Sequence, residues 1–108
     1  MQARRYYVYV VALTPIGSTD DVYVGSSAYP PRVRLEHHLN PEPGKVQGSR
    51  HVYHRGLGLV PELYKGLNPF ETREDARKAE HRLRARLERR GYRVYGSCYQ
   101  TAEKDCWL

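Results

Sequence analysis

The chain has 108 residues, with 18 Lys and Arg against 12 Asp and Glu and a net charge of +6, enough for one modest core and so for a single domain over residues 1–108. No apolar run approaches the roughly 20 residues of a membrane span, and the start MQARRYYVYVV lacks an apolar core with a small-residue cleavage site, so neither a membrane segment nor a signal peptide is expected. Cys98 and Cys106 are the only cysteines; they are too far apart for CxxC chemistry and too few for a secreted disulfide framework, which points to reduced thiols in a cytoplasmic protein.

Fourteen of the eighteen basic residues are arginine. The planar guanidinium fork matches phosphate oxygens in a bidentate way, which favours an anionic polymer as partner. Genome base composition explains the same excess equally well, so charge alone does not decide.

Tyr6 to Gly25, YYVYVVALTPIGSTDDVYVG, reads as two short strands. In the first, Tyr7, Tyr9, Val11 and Leu13 fall on one face and Tyr6, Val8, Val10 and Ala12 on the other. The second runs Asp21 to Gly25. The turn-rich TPIGSTD between them lets the strands pair as an antiparallel hairpin. Ser26 to Tyr29 is a short loop, and Pro30-Pro31 opens a helix from about Pro31 to Leu39, stopped by Asn40-Pro41-Glu42-Pro43-Gly44. Leu35 and Leu39 are expected to face the core. Arg34 and His38, also four apart, share the neighbouring stripe and can reach one point above the sheet edge; a solvated helix face is the alternative.

Pro41 to Gly48 reads as a polar loop. Ser49 then caps a short helix through Arg55 that ends at Gly56. This segment, SRHVYHRG, concentrates Arg50, His51, Tyr53, His54 and Arg55, and basic residues interleaved with aromatics suit phosphate contact plus base stacking. The spacing of His38, His51 and His54 matches no zinc pattern. Leu57 to Leu67 reads as an extended packing segment. The last helix starts at the cap Thr72, with Asp75 three residues on, and ends at Gly91. Ala76, Ala79, Leu83 and Leu87 form its apolar stripe. Glu80 falls about 40° from Ala76 and about 20° from Leu87, inside that stripe. A core-facing carboxylate is costly unless paired or metal-bound, and by position alone a salt bridge to a nearby arginine is an equal reading. Gly91 to Tyr95 returns as a third strand.

Tyr7-Val8-Tyr9 and Tyr23-Val24-Gly25 resemble the two half-motifs of the GIY-YIG nuclease family. Arg34-Leu35-Glu36-His37-His38 is similar to its following helix, in which an arginine follows the second strand and a histidine lies one turn later; the mapped pair is Arg34 and His38, with the adjacent His37 as the alternative histidine. Gly58-Leu59-Val60-Pro61-Glu62-Leu63-Tyr64, followed by Asn68-Pro69, resembles a run in stand-alone members. Ala76 to Leu83 resembles the helix A-x-x-x-E-x-x-L that carries the family's metal-binding glutamate, here Glu80. The resemblance covers roughly residues 6 to 96. Many relatives complete the site with an asparagine near the last strand; no asparagine follows Asn68, and the tail offers Gln100 as a substitute.

The resemblance implies a small α+β GIY-YIG-like domain, with a three-stranded antiparallel sheet flanked by helices. It implies a metal-dependent endonuclease that hydrolyses phosphodiester bonds in DNA with low sequence specificity. Tyr9 would be the general base, directly or through a proton shared with His38, with Arg34, His38 and the metal ion lending positive charge. Arg34 would grip the scissile phosphate, Tyr23 would orient the water or the phosphate, and Glu80 would hold Mg2+ or Mn2+ at the leaving 3′ oxygen. Gly25, Arg50, His51, Tyr53 and Arg55 are the expected nucleic-acid contacts. The partner is DNA, with RNA left open and no membrane; a homodimer or a larger protein partner is also open. The alternative is a non-catalytic nucleic-acid-binding module of the same fold.

Overall fold

A computed structural model describes residues 4–41 and 48–96. Cys98, Cys106, Gln100 and most of the Pro41–Gly48 loop lie outside the described residues. The elements in chain order are β1 (Tyr7–Leu13), β2 (Asp21–Ser27), α1 (Pro31–Leu39), α2 (Arg50–Arg55), β3 (Gly56–Leu59), a 3-10 turn (Pro61–Leu63), α3 (Arg73–Arg89) and β4 (Arg93–Gly96).

The hairpin forms as its composition dictates. β-branched and aromatic residues line β1 and β2, and the strands pair antiparallel with Tyr9 opposite Gly25 and Val11 opposite Tyr23. Period-two alternation therefore sends Tyr9, Val11, Tyr23 and Gly25 to one face, and Val8, Val10, Val24 and Ser26 to the other. Helix α3 packs on β1, β2 and β4, while α1 and α2 pack on β1 and β3. Tyr9 bonds to His38 of α1 and Ser26 to Glu80 of α3, so the two helix groups cover opposite faces. Burial on both sides explains why Val8, Tyr9, Val10 and Val11 are all sequestered.

Among the described residues the sheet has four strands in the order β3-β1-β2-β4, which corrects the three-stranded antiparallel expectation. Gly56–Leu59 pairs antiparallel with β1, although its sequence GLGL carries no β-branched signal. β4 runs parallel to β2. The reason is the connection: α3 carries the chain from one sheet edge to the other, and β3 and β4 run the same way, as a helical crossover requires.

The free edge of β1 is filled beyond β3. Val60 N–H donates to the Val10 carbonyl at 2.9 Å. The Asn68 side-chain amide then mimics a strand: Val8 N–H donates to its Oδ1 and its Nδ2 donates to the Val8 carbonyl, both at 2.7 Å. Phe70 and Tyr6 exchange backbone bonds at 2.8 and 2.9 Å.

The helix bounds follow their local signals. Thr72 accepts from Asp75 N–H at the start of α3, and Ser49 accepts from His51 N–H at the start of α2. The buried stripe of α3 is Ala76, Ala79, Glu80, Leu83 and Leu87. On α1 the expectation for Leu39 fails. Leu39 is 37% exposed, whereas His38 has no exposed surface. The helix turns its histidine inward because both ring nitrogens find partners there. No helix among the described residues is long and apolar enough to cross a membrane.

Candidate functional site

Tyr9 is the centre of the site. Gly25, directly opposite on β2, makes room for it: a Cβ there would lie 2.6 Å from Tyr9 Oη and 2.8 Å from its Cζ. Gly25 is itself buried, so it shapes the site from beneath and does not present a nucleic-acid contact. His38 approaches from α1 and places Nε2 2.7 Å from Tyr9 Oη. Tyr23 closes a triangle of rings, with centroids 6.2 Å from Tyr9 and 5.3 Å from His38, while Tyr9 and His38 are 5.8 Å apart. The other ring nitrogen of His38 accepts the backbone N–H of Ser49 at 2.7 Å. Gly48 is needed for that approach, because a Cβ there would lie 2.6 Å from His38 Cα and 2.7 Å from Nδ1. His37 turns elsewhere and packs its ring edge-to-face with Tyr29 at 4.6 Å.

The electrostatics follow from burial. The loss of solvent around Tyr9 pushes its hydroxyl up to about 12. The charge of Arg34 and a hydrogen bond from it pull the other way, as does a hydrogen bond from Tyr23, while the charge of Glu80 adds to the rise. His38 is pushed down to about 3, first by burial and then by the charges of Arg34 and His37. It is therefore a neutral imidazole at physiological pH. This corrects the expectation that His38 lends positive charge to Tyr9; among the groups acting on Tyr9, Arg34 does so.

Glu80 reaches the site from the opposite face. It has no exposed surface, and its Oε1 accepts the Ser26 hydroxyl at 2.8 Å. Among the described residues no three His, Cys, Asp or Glu side chains group as a metal site. His51 and His54 lie on Tyr95 and Tyr53 and do not join His38. A single carboxylate is the kind of oxygen ligand that magnesium accepts alongside its waters; that of Glu80 is enclosed and bonded to Ser26.

The basic segment divides. Arg50 is exposed and Tyr53 is 51% exposed, as a nucleic-acid contact requires. His51 packs its ring on Tyr95 at 4.4 Å. Arg55 departs from the expected role. Its guanidinium pairs with the buried Asp21, donates to the Thr14 carbonyl at 3.0 and 2.8 Å, and lies over the Tyr95 ring at 5.0 Å. It ties α2 to the hairpin turn and has little left for a phosphate.

The structure thus brings Tyr9, Tyr23, Arg34 and His38 together on one face, with Glu80 entering from the other. Sequence reasoning missed Gly48, Ser49, Ser26 and the strand-like role of Asn68. A glycine beside a capping serine was the one cue to the first pair. No protein-family model matches this chain, and neither does any curated protein or solved structure.

Proposed function

We propose that this chain is a GIY-YIG-type, metal-dependent endonuclease that hydrolyses phosphodiester bonds in DNA with low sequence specificity. The observation that carries this reading is the surroundings of the Tyr9 oxygen. A tyrosine packed for stability needs one partner for its hydroxyl. Tyr9 has His38, Tyr23 and Arg34 around it.

Phosphodiester hydrolysis needs a water deprotonated, the developing charge compensated, and the parts held in line. Tyr9 is the base, acting as phenolate. Arg34 stands half-buried on the same helix as His38, placed to draw both the phenolate and a substrate phosphate. Tyr23 orients the attacking water or the phosphate. Glu80 would hold Mg2+ or Mn2+, which supplies positive charge to offset that on the leaving 3′ oxygen. Arg50 and Tyr53 contact the nucleic-acid backbone and bases outside the site. Such contacts carry little sequence information.

The test is cleavage of single-stranded, duplex, flap and branched DNA with Mg2+ or Mn2+, wild type beside Glu80→Ala. Cutting by wild type alone, with DNA binding kept by both, supports the nuclease. Binding without cutting by wild type favours a nucleic-acid-binding module instead. An RNA panel run alongside decides between the two polymers.

A further inference from the structure

His38 Nδ1 accepts the Ser49 backbone N–H at 2.7 Å. A backbone amide only donates, so Nδ1 carries the lone pair and the single proton of the neutral ring sits on Nε2. Nε2 therefore donates to Tyr9 Oη across 2.7 Å. The clamp tolerates no side chain at position 48, where a Cβ would meet both the backbone and the ring of His38.

We infer that the Gly48–Ser49 backbone is a positioning element of the site: it locks His38 as the Nε2–H tautomer, so that His38 holds the Tyr9 oxygen as a donor and does not take the Tyr9 proton. This replaces the proton shared between Tyr9 and His38 with a division of labour. The Tyr9 hydroxyl proton points away from His38, and once it has left, the imidazole N–H stays in place to stabilise the phenolate. Tyr9 from β1, Tyr23 from β2, the Ser49 amide, and Arg34 and His37 of α1 face or act on His38. None of these is a carboxylate that would favour a protonated ring. The tautomer stands on geometry alone; its consequence for cleavage rests on the nuclease reading.

The test is long-range proton–nitrogen NMR of the 15N-labelled full chain, with His38 assigned by comparison with His38→Gln. The expected spectrum shows an unprotonated Nδ1 and a protonated Nε2, unchanged between about pH 5 and 8. A protonated Nδ1, or titration within that range, overturns the inference. Gly48→Ala should shift the His38 signals toward the tautomer mixture of a free imidazole; unchanged signals in a folded variant also overturn it. Cleavage supplies the second readout. Glutamine can donate to Tyr9 but cannot act as a base, so His38→Gln should stay within about tenfold of wild type, while His38→Ala should fall by about a hundredfold. Equal losses in both overturn the donor role. If wild type does not cut DNA at all, the nuclease reading falls and the spectrum still decides the tautomer.

Discussion

Gly25 and Tyr9 share one space: a Cβ on Gly25 would sit 2.6 Å from Tyr9 Oη and 3.0 Å from Tyr23 Cε1. Both ring contacts belong to rigid aromatics packed in the core, so neither can swing away cheaply. Gly25→Ala should cost about 1–3 kcal/mol of stability through overpacking. It should also displace Tyr9 from His38 and depress cleavage more than the stability loss alone explains. Thermal melts beside cleavage assays under fully folded conditions check both effects.

Asn68 and Val8 form a second such pair. Removing the amide leaves the Val8 N–H and carbonyl without the partners they have at 2.7 Å. Asn68→Ala should lower stability by about 2 kcal/mol. Asn68→Asp keeps the acceptor but sets a carboxylate oxygen against the Val8 carbonyl that Nδ2 now bonds at 2.7 Å, so at neutral pH it should do at least as much harm. Because Val8 precedes Tyr9, hydrogen exchange should rise at the Val8 amide before it rises in β2. Equal stability of wild type and Asn68→Ala would contradict the strand-mimic role.

Asp21 gives a pH dependence of known sign. Burial works against its charged form, but hydrogen bonds from Arg55, Thr19 and the Ile16 N–H outweigh it and hold the carboxyl below its ordinary value of 3.8. A depressed folded value means that the unfolded chain takes the proton first on acidification. The stabilisation is full above about pH 4 and is lost as pH falls through the folded value. Asp21→Asn should flatten this acid limb in melts recorded from neutral pH downward. Arg55→Ala leaves the buried carboxylate unpaired and should cost about 2 kcal/mol at neutral pH, less than breaking a fully buried pair, because the Arg55 side chain keeps 17% of its surface exposed.

Tyr9 gives a second one. With its hydroxyl pushed up to about 12, only about one molecule in 10^5 holds a phenolate at pH 7. On the proposed mechanism the phenolate is the active form, so kcat/KM should rise about tenfold per pH unit across the neutral range. Nearby cations lower the value at which the curve levels off but do not reverse the slope. A plateau near 6.5, the ordinary histidine value, would instead make His38 the base.

Local chemistry was legible in the sequence, and long-range geometry was not. Ser49 and Thr72 announce their helices because a hydroxyl before a helix has one obvious backbone N–H to bond. The stripe of α3, Glu80 included, follows from the helical period. β3 went unread because GLGL has no strand signature; it is a strand only because the edge of β1 needs partners. The direction of β4 is set by where α3 crosses, which no residue near Arg93 encodes. The inward turn of His38 in place of Leu39 depends on two bonds, one of them from a loop that returns eleven residues later. Tyr9, Tyr23, Arg34 and His38 could be grouped in advance through the family resemblance and not through spacing.

The proposed function stands or falls on whether the Tyr9 oxygen performs the chemistry. The most direct measurement is Mg2+- or Mn2+-dependent cleavage of the best DNA substrate by wild type and by Tyr9→Phe, which removes one oxygen and keeps the ring that fills the core. The proposed function predicts metal-dependent cutting by wild type and a loss of at least about a hundredfold in Tyr9→Phe, with DNA binding little changed. Both proteins are assayed where fully folded, because in the variant the buried His38 N–H loses its acceptor, which should cost about 1–3 kcal/mol of stability. Equal cutting by the two proteins would contradict it.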